Sequence, residues 1–192
     1  MTAQKPMLVE PPATLPVTLE EARRFLRVDS TEEDPVLEAL IAAATTYCDG
    51  YSGILHRGLI TQTWRLPAAA FPVLPASQIR LPLIPVQEVT EIAYYDSAGV
   101  VIMDPASYAL HTDATGSYVT VAAGGSWPAA TARDDAVQIL YVVGYGDLPT
   151  DVPAAVRQAI LLMVSAWYDD RMTAAVPPAA DRLLSPYRPV IL

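Results

Sequence analysis

The chain has 192 residues, of which 52% are hydrophobic and 17% charged, so it is long and apolar enough to fold around a core. Its formal net charge is −9 and its 12 basic residues form no Lys or Arg run, which argues against a protein that holds DNA by a basic face or docks on an anionic membrane. The single cysteine excludes an intrachain disulfide.

The first part of the chain is predicted to be an extended arm followed by two helices. Four prolines within residues 1–17 favour extended backbone. Thr18 with Glu21 three residues later matches a capping box, so a helix is expected to begin there. A second helix is expected from Pro35, a favoured first helical residue. Residues 18–58 are therefore predicted to be the first part of a helical core.

Between residues 59 and 147 the hydrophobic pattern changes to the period of two that is typical of strands. Short strands bordered by prolines favour a small antiparallel sandwich or barrel. Because helices are predicted on both sides, we expect an α+β fold in which this β insertion interrupts a small helical bundle formed by the N- and C-terminal helices. Seven strands are predicted: Ile60–Leu66, Gln78–Leu81, Val89–Tyr95, Val100–Met103, Tyr108–His111, Tyr118–Val121 and Val137–Val143.

The last helix of the core, within residues 148–172, is predicted to be apolar on nearly every side. Asp151 is expected to cap it and Pro153 to lie near its first position. Within 159–168 only Ser165 interrupts the apolar run. No apolar run in the chain reaches the roughly 20 residues that a membrane span needs. The helix is therefore predicted to be surrounded by protein.

Two short helices leave part of this apolar surface uncovered. Leu161, Val164 and Tyr168 widen the apolar face, and leaving them wet would cost roughly 1.5–3 kcal/mol for each large side chain. We therefore expect a second subunit to cover these three residues. The alternative is that the β insertion of the same chain folds back over them.

Residues 173–192 contain four prolines and are predicted to be an extended tail. Such a segment has too little apolar surface to form its own core, and a proline-restricted segment loses less entropy when it docks. We expect its end to dock on a neighbouring molecule. The residues concerned are Tyr187, Arg188, Pro189, Val190, Ile191 and Leu192.

Residue types that perform chemistry are sparse. His56 and His111 have no metal-ligand spacing around them, and Cys48 falls on the apolar stripe of the second predicted helix. Adjacent acidic pairs do not match calcium-loop spacing and are expected to be solvated. We therefore predict no catalytic, metal or cofactor site and no enzyme activity.

Several short motifs, in their order along residues 17–172, together resemble the head–tail connector, or adaptor, family of long-tailed bacteriophages and phage-derived gene transfer agents. The arm and the tail lie outside the resemblance. The motifs are Val17–Ala22 with Phe25–Leu26, Ile41–Thr45 with Tyr47, Thr61–Trp64, Ile79–Pro82 with Pro85–Val86, Trp127–Pro128, Tyr141–Gly146, and Val152–Pro153 followed by Gln158–Leu162 and Trp167–Tyr168.

The resemblance implies a structural component of a virion or virion-like particle, assembled in the bacterial cytoplasm. Members form a homo-oligomeric ring, usually of twelve subunits, beneath the portal protein, where the ring extends the DNA channel and docks the next neck or tail protein. The tail would then dock on the portal or a neighbouring subunit. An acidic lumen would let DNA pass without specific binding, because Lys and Arg clusters would hold the phosphates.

Three other functions remain as alternatives. The first is a tail-completion or stopper protein of the same particle. The second is a binding module that uses aromatic residues of the β insertion, such as Tyr94, Tyr95 and Trp127. The third is a small hydrolase, although no nucleophile is paired with a base in the sequence.

Overall fold

The computed structural model describes residues 4–72, 78–170, 172 and 175–189. The chain divides into two compact units, one formed by Met1–Pro11 with Gln62–Gly144 and the other by Pro12–Thr61 with Tyr145–Leu192. The first consists of antiparallel sheets and the second of helices. The predicted α+β class is confirmed.

In the described residues the sheet unit contains two antiparallel sheets. The larger sheet has the strand order β1-β2-β8-β4-β5, and the smaller has the order β3-β7-β6. The strands are β1 (Met7–Glu10), β2 (Gln62–Ala68), β3 (Ile79–Arg80), β4 (Val86–Tyr95), β5 (Val100–Ile102), β6 (Tyr108–Asp113), β7 (Gly116–Val121) and β8 (Val137–Val143).

The period of two places alternate side chains of β8 in the core. Val137, Ile139, Tyr141 and Val143 are buried, and the residues between them are partly exposed. Tyr141 lies opposite Trp64 of β2, so the inner faces of the two strands meet in register. Strand β8 is the central strand of the larger sheet.

Strand β1 lies in the segment that the sequence analysis treats as an arm. It pairs with β2, with Met7 opposite Arg65 and Leu8 opposite Trp64. The Gln4 side-chain amide also donates to the Asp134 carbonyl at 2.5 Å. The prolines on either side of β1 keep the backbone extended without removing donors from the paired stretch.

The helical unit contains α1 (Leu19–Leu26), α2 (Asp34–Cys48), α3 (Ala154–Asp169) and α4 (Pro178–Leu184). The predicted capping box at the start of α1 is present. The Glu21 backbone N–H donates to the Thr18 hydroxyl at 3.2 Å, and the Thr18 backbone N–H donates to the Glu21 carboxylate at 3.0 Å. Two donors that the first helical turn leaves without a partner are thereby satisfied.

Asp151 does not cap α3, contrary to the sequence prediction. Its carboxylate accepts the backbone N–H of Leu148 at 2.9 Å and closes the short 3₁₀ helix Pro149–Asp151. Val152 and Pro153 then follow with extended backbone before α3 begins. This extended stretch separates the carboxylate from the N–H groups at the start of α3.

The predicted extended tail is also wrong for part of its length. Pro178 begins α4, and Ser185–Tyr187 continue as a 3₁₀ helix. Ala180 and Leu184, four residues apart, lie on one helical face and are fully buried. Proline at the first helical position is a start signal that the sequence analysis missed.

Candidate assembly surfaces

Helix α3 contacts each of the other three helices of its unit. Its inward face joins one hydrophobic core with residues of α1, α2 and α4. Val164 has an exposed fraction of 0% within its own chain, so it needs no second subunit to cover it. The inclusion of Val164 in the predicted interface is therefore corrected. The reason is helix α4, which adds a third neighbour that the sequence analysis did not predict.

Leu161 and Tyr168, the other two residues of the predicted interface, are only partly buried. Leu161 packs against the edge of the helical core and keeps part of its side chain in solvent. The apolar surface that α3 offers to a neighbour is therefore narrower than predicted. It contains Leu161 and Tyr168 without Val164.

The first residues of the predicted docking tail are used inside the helical unit. Arg57 donates from Nε to the Tyr187 carbonyl at 2.7 Å, and its guanidinium lies over the Tyr187 ring at 5.9 Å. Arg188 pairs with the carboxylate of Asp181. Pro189 is exposed. Val190, Ile191 and Leu192 lie outside the described residues.

An ion pair joins the first and third helices. The Arg157 guanidinium pairs with the Glu21 carboxylate and also donates from Nε to the Pro16 carbonyl at 3.1 Å. Burial alone raises the pKa of Glu21, but the Thr18 backbone N–H and the Arg157 guanidinium together more than offset it, so that the pKa lies below its ordinary value. No local sequence pattern predicts this pair, because the two residues are distant in the chain.

The two outer strands of the larger sheet carry exposed aliphatic side chains. On β1, Met7, Leu8 and Val9 are all exposed, with Met7 at 51%. On β5, Val100 and Ile102 are exposed at 59% and 63%. Outer strands with several exposed aliphatic side chains are unusual, because they favour pairing with other chains. The apolar triplet of β1 between two prolines is the signal that would have revealed this edge.

The aromatic residues considered for a binding module contact other side chains. Trp127 stacks on Phe71 with ring centroids 5.0 Å apart, and Phe71 meets Tyr94 edge to face at 5.6 Å. Arg133 lies over the Tyr95 ring at 3.8 Å. These contacts hold loop residues against the larger sheet, and Tyr94, Tyr95 and Trp127 each remain partly exposed.

The candidate reactive residues have structural surroundings. Cys48 is fully buried, and burial, with a smaller effect of Asp49, raises the pKa of its thiol to about 12. His111 lies 3.0 Å from the Thr120 hydroxyl and stacks on Tyr118, whereas His56 meets Tyr51 edge to face. In the described part of the chain no three potential metal ligands cluster together. None of the described helices is long and apolar enough to cross a membrane.

An open cleft near the end of α1 is lined by arginines whose charges are largely balanced. Arg23 lies 3.5 Å from Asp34 and donates to the Asp29 carbonyl at 2.7 Å. Arg24 lies 3.6 Å from Glu20, one helical turn away. The cleft is therefore no strongly basic surface for phosphates.

A family model described as "Head completion protein" matches residues 16–177. The chain belongs to the head completion protein family. This membership confirms the resemblance to head–tail connector proteins and supports a structural role. No curated protein sequence matches the chain.

Solved structures of gene transfer agent (GTA) particles contain chains similar to this family member. A chain of the virion of a native GTA particle has 23% identity and a TM-score of 0.76, and the match covers 98% of this chain and 97% of that one. A chain from the neck of an empty GTA particle, computed with C6 symmetry, has 25% identity and a TM-score of 0.75, with 97% of both chains covered. A chain from the neck of a native GTA particle, computed with C12 symmetry, has 25% identity and a TM-score of 0.66, also with 97% of both covered.

Proposed function

We propose that this chain is a head–tail connector that forms a ring of twelve subunits below the portal of a phage or gene transfer agent particle. The observation that carries the proposal is the head completion family match over residues 16–177, together with likeness over nearly the whole chain to neck components. The ring extends the DNA channel and presents a surface to the next neck or tail protein. Its work is assembly, without catalysis.

The exposed part of α3 supports contact between ring neighbours. Leu161 and Tyr168 remain partly in solvent on α3, as do Leu162 and Trp167, so a neighbouring subunit has apolar area to cover there. Val164 contributes to this contact only by supporting the helix from inside. Ring contacts use different patches on each copy, because cyclic interfaces of more than two subunits are heterologous.

The end of the chain supports attachment to the portal or to a neighbouring subunit. Arg57 holds the Tyr187 carbonyl and Asp181 pairs with Arg188, so the chain leaves the helical unit from a fixed point. Pro189–Leu192 is then the segment that docks. A chain truncated after Arg188 is expected to fold as the full chain does, yet to yield fewer joined heads and tails. Normal joining by the truncated chain would contradict this docking role.

The net negative charge of the chain suits the wall of a channel through which DNA passes. A formal net charge of −9 repels the phosphates of passing DNA, and two arginines of the cleft, Arg23 and Arg24, lie beside carboxylates. A protein retains DNA when many of its Lys or Arg side chains contact phosphates and so release the counterions of the DNA. Side chains that are already paired with carboxylates are less able to do this. The ring therefore guides the duplex without holding it.

Deletion of the gene in the producing cell tests the proposed function. DNA-filled heads without attached tails are expected, and a plasmid copy of the intact chain should restore complete particles. A tail-completion protein would instead leave tails with an unfinished upper end, and a stopper would leave heads that still carry a connector ring on the portal. Either of these two outcomes would reject the connector assignment.

A further inference from the structure

We infer that the two apolar outer strands of the larger sheet are the two halves of one subunit contact, in which β5 of one copy pairs with β1 of the next. The inference rests on the proposed ring. It assigns the sheet unit a direct part in ring closure, and the occupant of each free edge is a second copy of this chain.

The β5 edge has both backbone groups and side chains free for a partner. The Met103 N–H donates to the Ile92 carbonyl at 2.8 Å and the Asp96 N–H donates to the Gly99 carbonyl at 2.9 Å. In an antiparallel pair the residues between such bonded positions direct their own N–H and C=O groups away. Val100 and Ile102 occupy two of those positions on β5, and among the described residues of the sheet unit their side chains are the most exposed large aliphatic ones.

Met7 on one edge and Val100 and Ile102 on the other lie on the same face of the sheet. Residues that lie opposite each other on neighbouring strands share a face of the sheet. Met7 lies opposite Arg65 of β2. Ile102 lies opposite Ala93 of β4, Ala93 opposite Gln138 of β8, and Gln138 opposite Pro67 of β2. Because Arg65 and Pro67 are two residues apart on β2, they lie on one face. A sheet continued from one copy to the next would therefore place Met7 beside Val100 or Ile102.

Strand direction agrees with cyclic assembly. Each neighbouring pair in the order β1-β2-β8-β4-β5 is antiparallel, so β1 and β5 run in the same direction. A cyclic contact joins two different edges of successive copies, so β5 can meet the next β1 with both strands running in the same sense. The contact is thus a parallel β-augmentation.

Charge at the edges is complementary at one end. Lys5, which precedes β1, is exposed and is the only lysine of the chain. Asp96 begins the turn that precedes β5. In a parallel pairing the two strands begin at the same end, which places the ammonium of Lys5 at the end of the sheet where Asp96 of the neighbour lies. The carboxylates of Asp96 and Asp104 both accept backbone N–H groups of their own turns, and Glu10 accepts the Thr63 hydroxyl.

Closure of the ring through these strands removes an aggregation hazard. A free monomer exposes two apolar edges, and each is a template for pairing with another chain. When every β5 meets a β1, the larger sheet becomes continuous around the ring and no edge remains, as in a closed barrel. A twofold dimer through β1 alone or β5 alone would leave the other edge free.

Cysteine cross-linking of the full-length chain assembled with its portal tests the pairing. The double variants Met7→Cys with Val100→Cys and Met7→Cys with Ile102→Cys sample the two registers, and buried Cys48 contributes no background. Oxidation is expected to give a ladder of species larger than dimers on a non-reducing gel for at least one double variant. The single variants Met7→Cys, Val100→Cys and Ile102→Cys are the matched controls and should stay monomeric on the gel.

The possible outcomes distinguish a failure of the strand pairing from a failure of the proposed connector function. Rings that form normally while neither double variant cross-links would overturn the strand pairing and leave the connector role intact. Dimers from a single variant would show a twofold edge contact instead, and would also overturn it. Failure of the unmodified chain to form any ring with a portal would reject both inferences.

An edge charge provides a second readout that does not depend on register. Ile102→Lys is expected to weaken ring assembly by at least about tenfold, because a charged side chain on an outer strand blocks pairing. Val36→Lys makes the same change at an exposed aliphatic position of α2 and should alter assembly by less than about twofold. Circular dichroism would check that both variants are folded. Equal assembly by Ile102→Lys and the unmodified chain would contradict the inference.

Discussion

The Arg157 guanidinium on α3 pairs with the Glu21 carboxylate on α1, and the same guanidinium holds the Pro16 carbonyl. Glu21 also completes the capping box of its own helix with Thr18. One carboxylate therefore fixes both the start of α1 and its attachment to α3. The pair is only partly exposed, with side-chain fractions of 20% and 26%.

Substitution of Arg157 should therefore destabilise the helical unit. Arg157→Met is expected to lower the free energy of unfolding by about 1–3 kcal/mol, because it leaves a partly buried carboxylate and the Pro16 carbonyl without their donor. Urea unfolding followed by circular dichroism measures this change. Arg182→Met, at an exposed position of α4, is the matched control and should change stability by less than about 0.5 kcal/mol. Equal stability of the two variants would contradict the role of the pair.

The ion pair between Glu21 and Arg157 also predicts how the stability of the fold changes as the pH falls. The pKa of Glu21 is lowered below 4.5 in the folded chain, so ionised Glu21 stabilises the fold above pH 4.5, and this contribution is lost as the pH falls through the lowered pKa. Unfolding free energies measured between pH 7 and pH 3 should fall more steeply for the unmodified chain than for Glu21→Gln. Parallel pH profiles for the two proteins would refute this source of acid sensitivity.

Val164 and Leu161 should have separable effects. Val164→Ala is expected to lower the free energy of unfolding by about 1–3 kcal/mol, because it opens a cavity in the core, and to leave ring stoichiometry unchanged. Leu161→Ser should cost less stability and should weaken ring assembly, since part of its side chain is offered to a neighbour. Thermal unfolding and mass measurement of the assembled rings compare the two. A loss of rings with Val164→Ala at a temperature where the chain stays folded would contradict this division.

Cys48 should be chemically inert in the native protein. Burial places its thiol pKa at about 12, so very little thiolate exists at pH 8 and the sulfur is also inaccessible. Reaction with a thiol reagent such as dithionitrobenzoate should be at least about 100-fold slower for the native chain than for the chain in urea. Rapid reaction of the native chain would show that the helical unit opens readily around α2.

The purified chain should not retain duplex DNA. At about 0.15 M salt we expect no binding tighter than micromolar, because the basic residues are few and many are paired with carboxylates. Fluorescence anisotropy with a labelled duplex measures this. A micromolar or tighter dissociation constant would contradict a channel that lets DNA slide.

Local signals predicted much of this structure, and long-range relationships account for the errors. The capping box at Thr18 and the alternation along β8 depend on neighbouring residues, so the sequence alone sufficed. The strand β1 and the helix α4 are short and lie beside several prolines, and each is stabilised by partners distant in the chain. The error at Val164 followed from the missing α4, because the helix that covers α3 had been treated as a tail.

The central claim, a ring of twelve subunits on a portal, is tested most directly by the mass of the protein in solution with and without the portal protein of the same particle. We predict a complex in which twelve copies of this chain join one portal ring, whatever the state of the free chain. A chain that stays unbound, or that assembles only on isolated tails, would contradict the account.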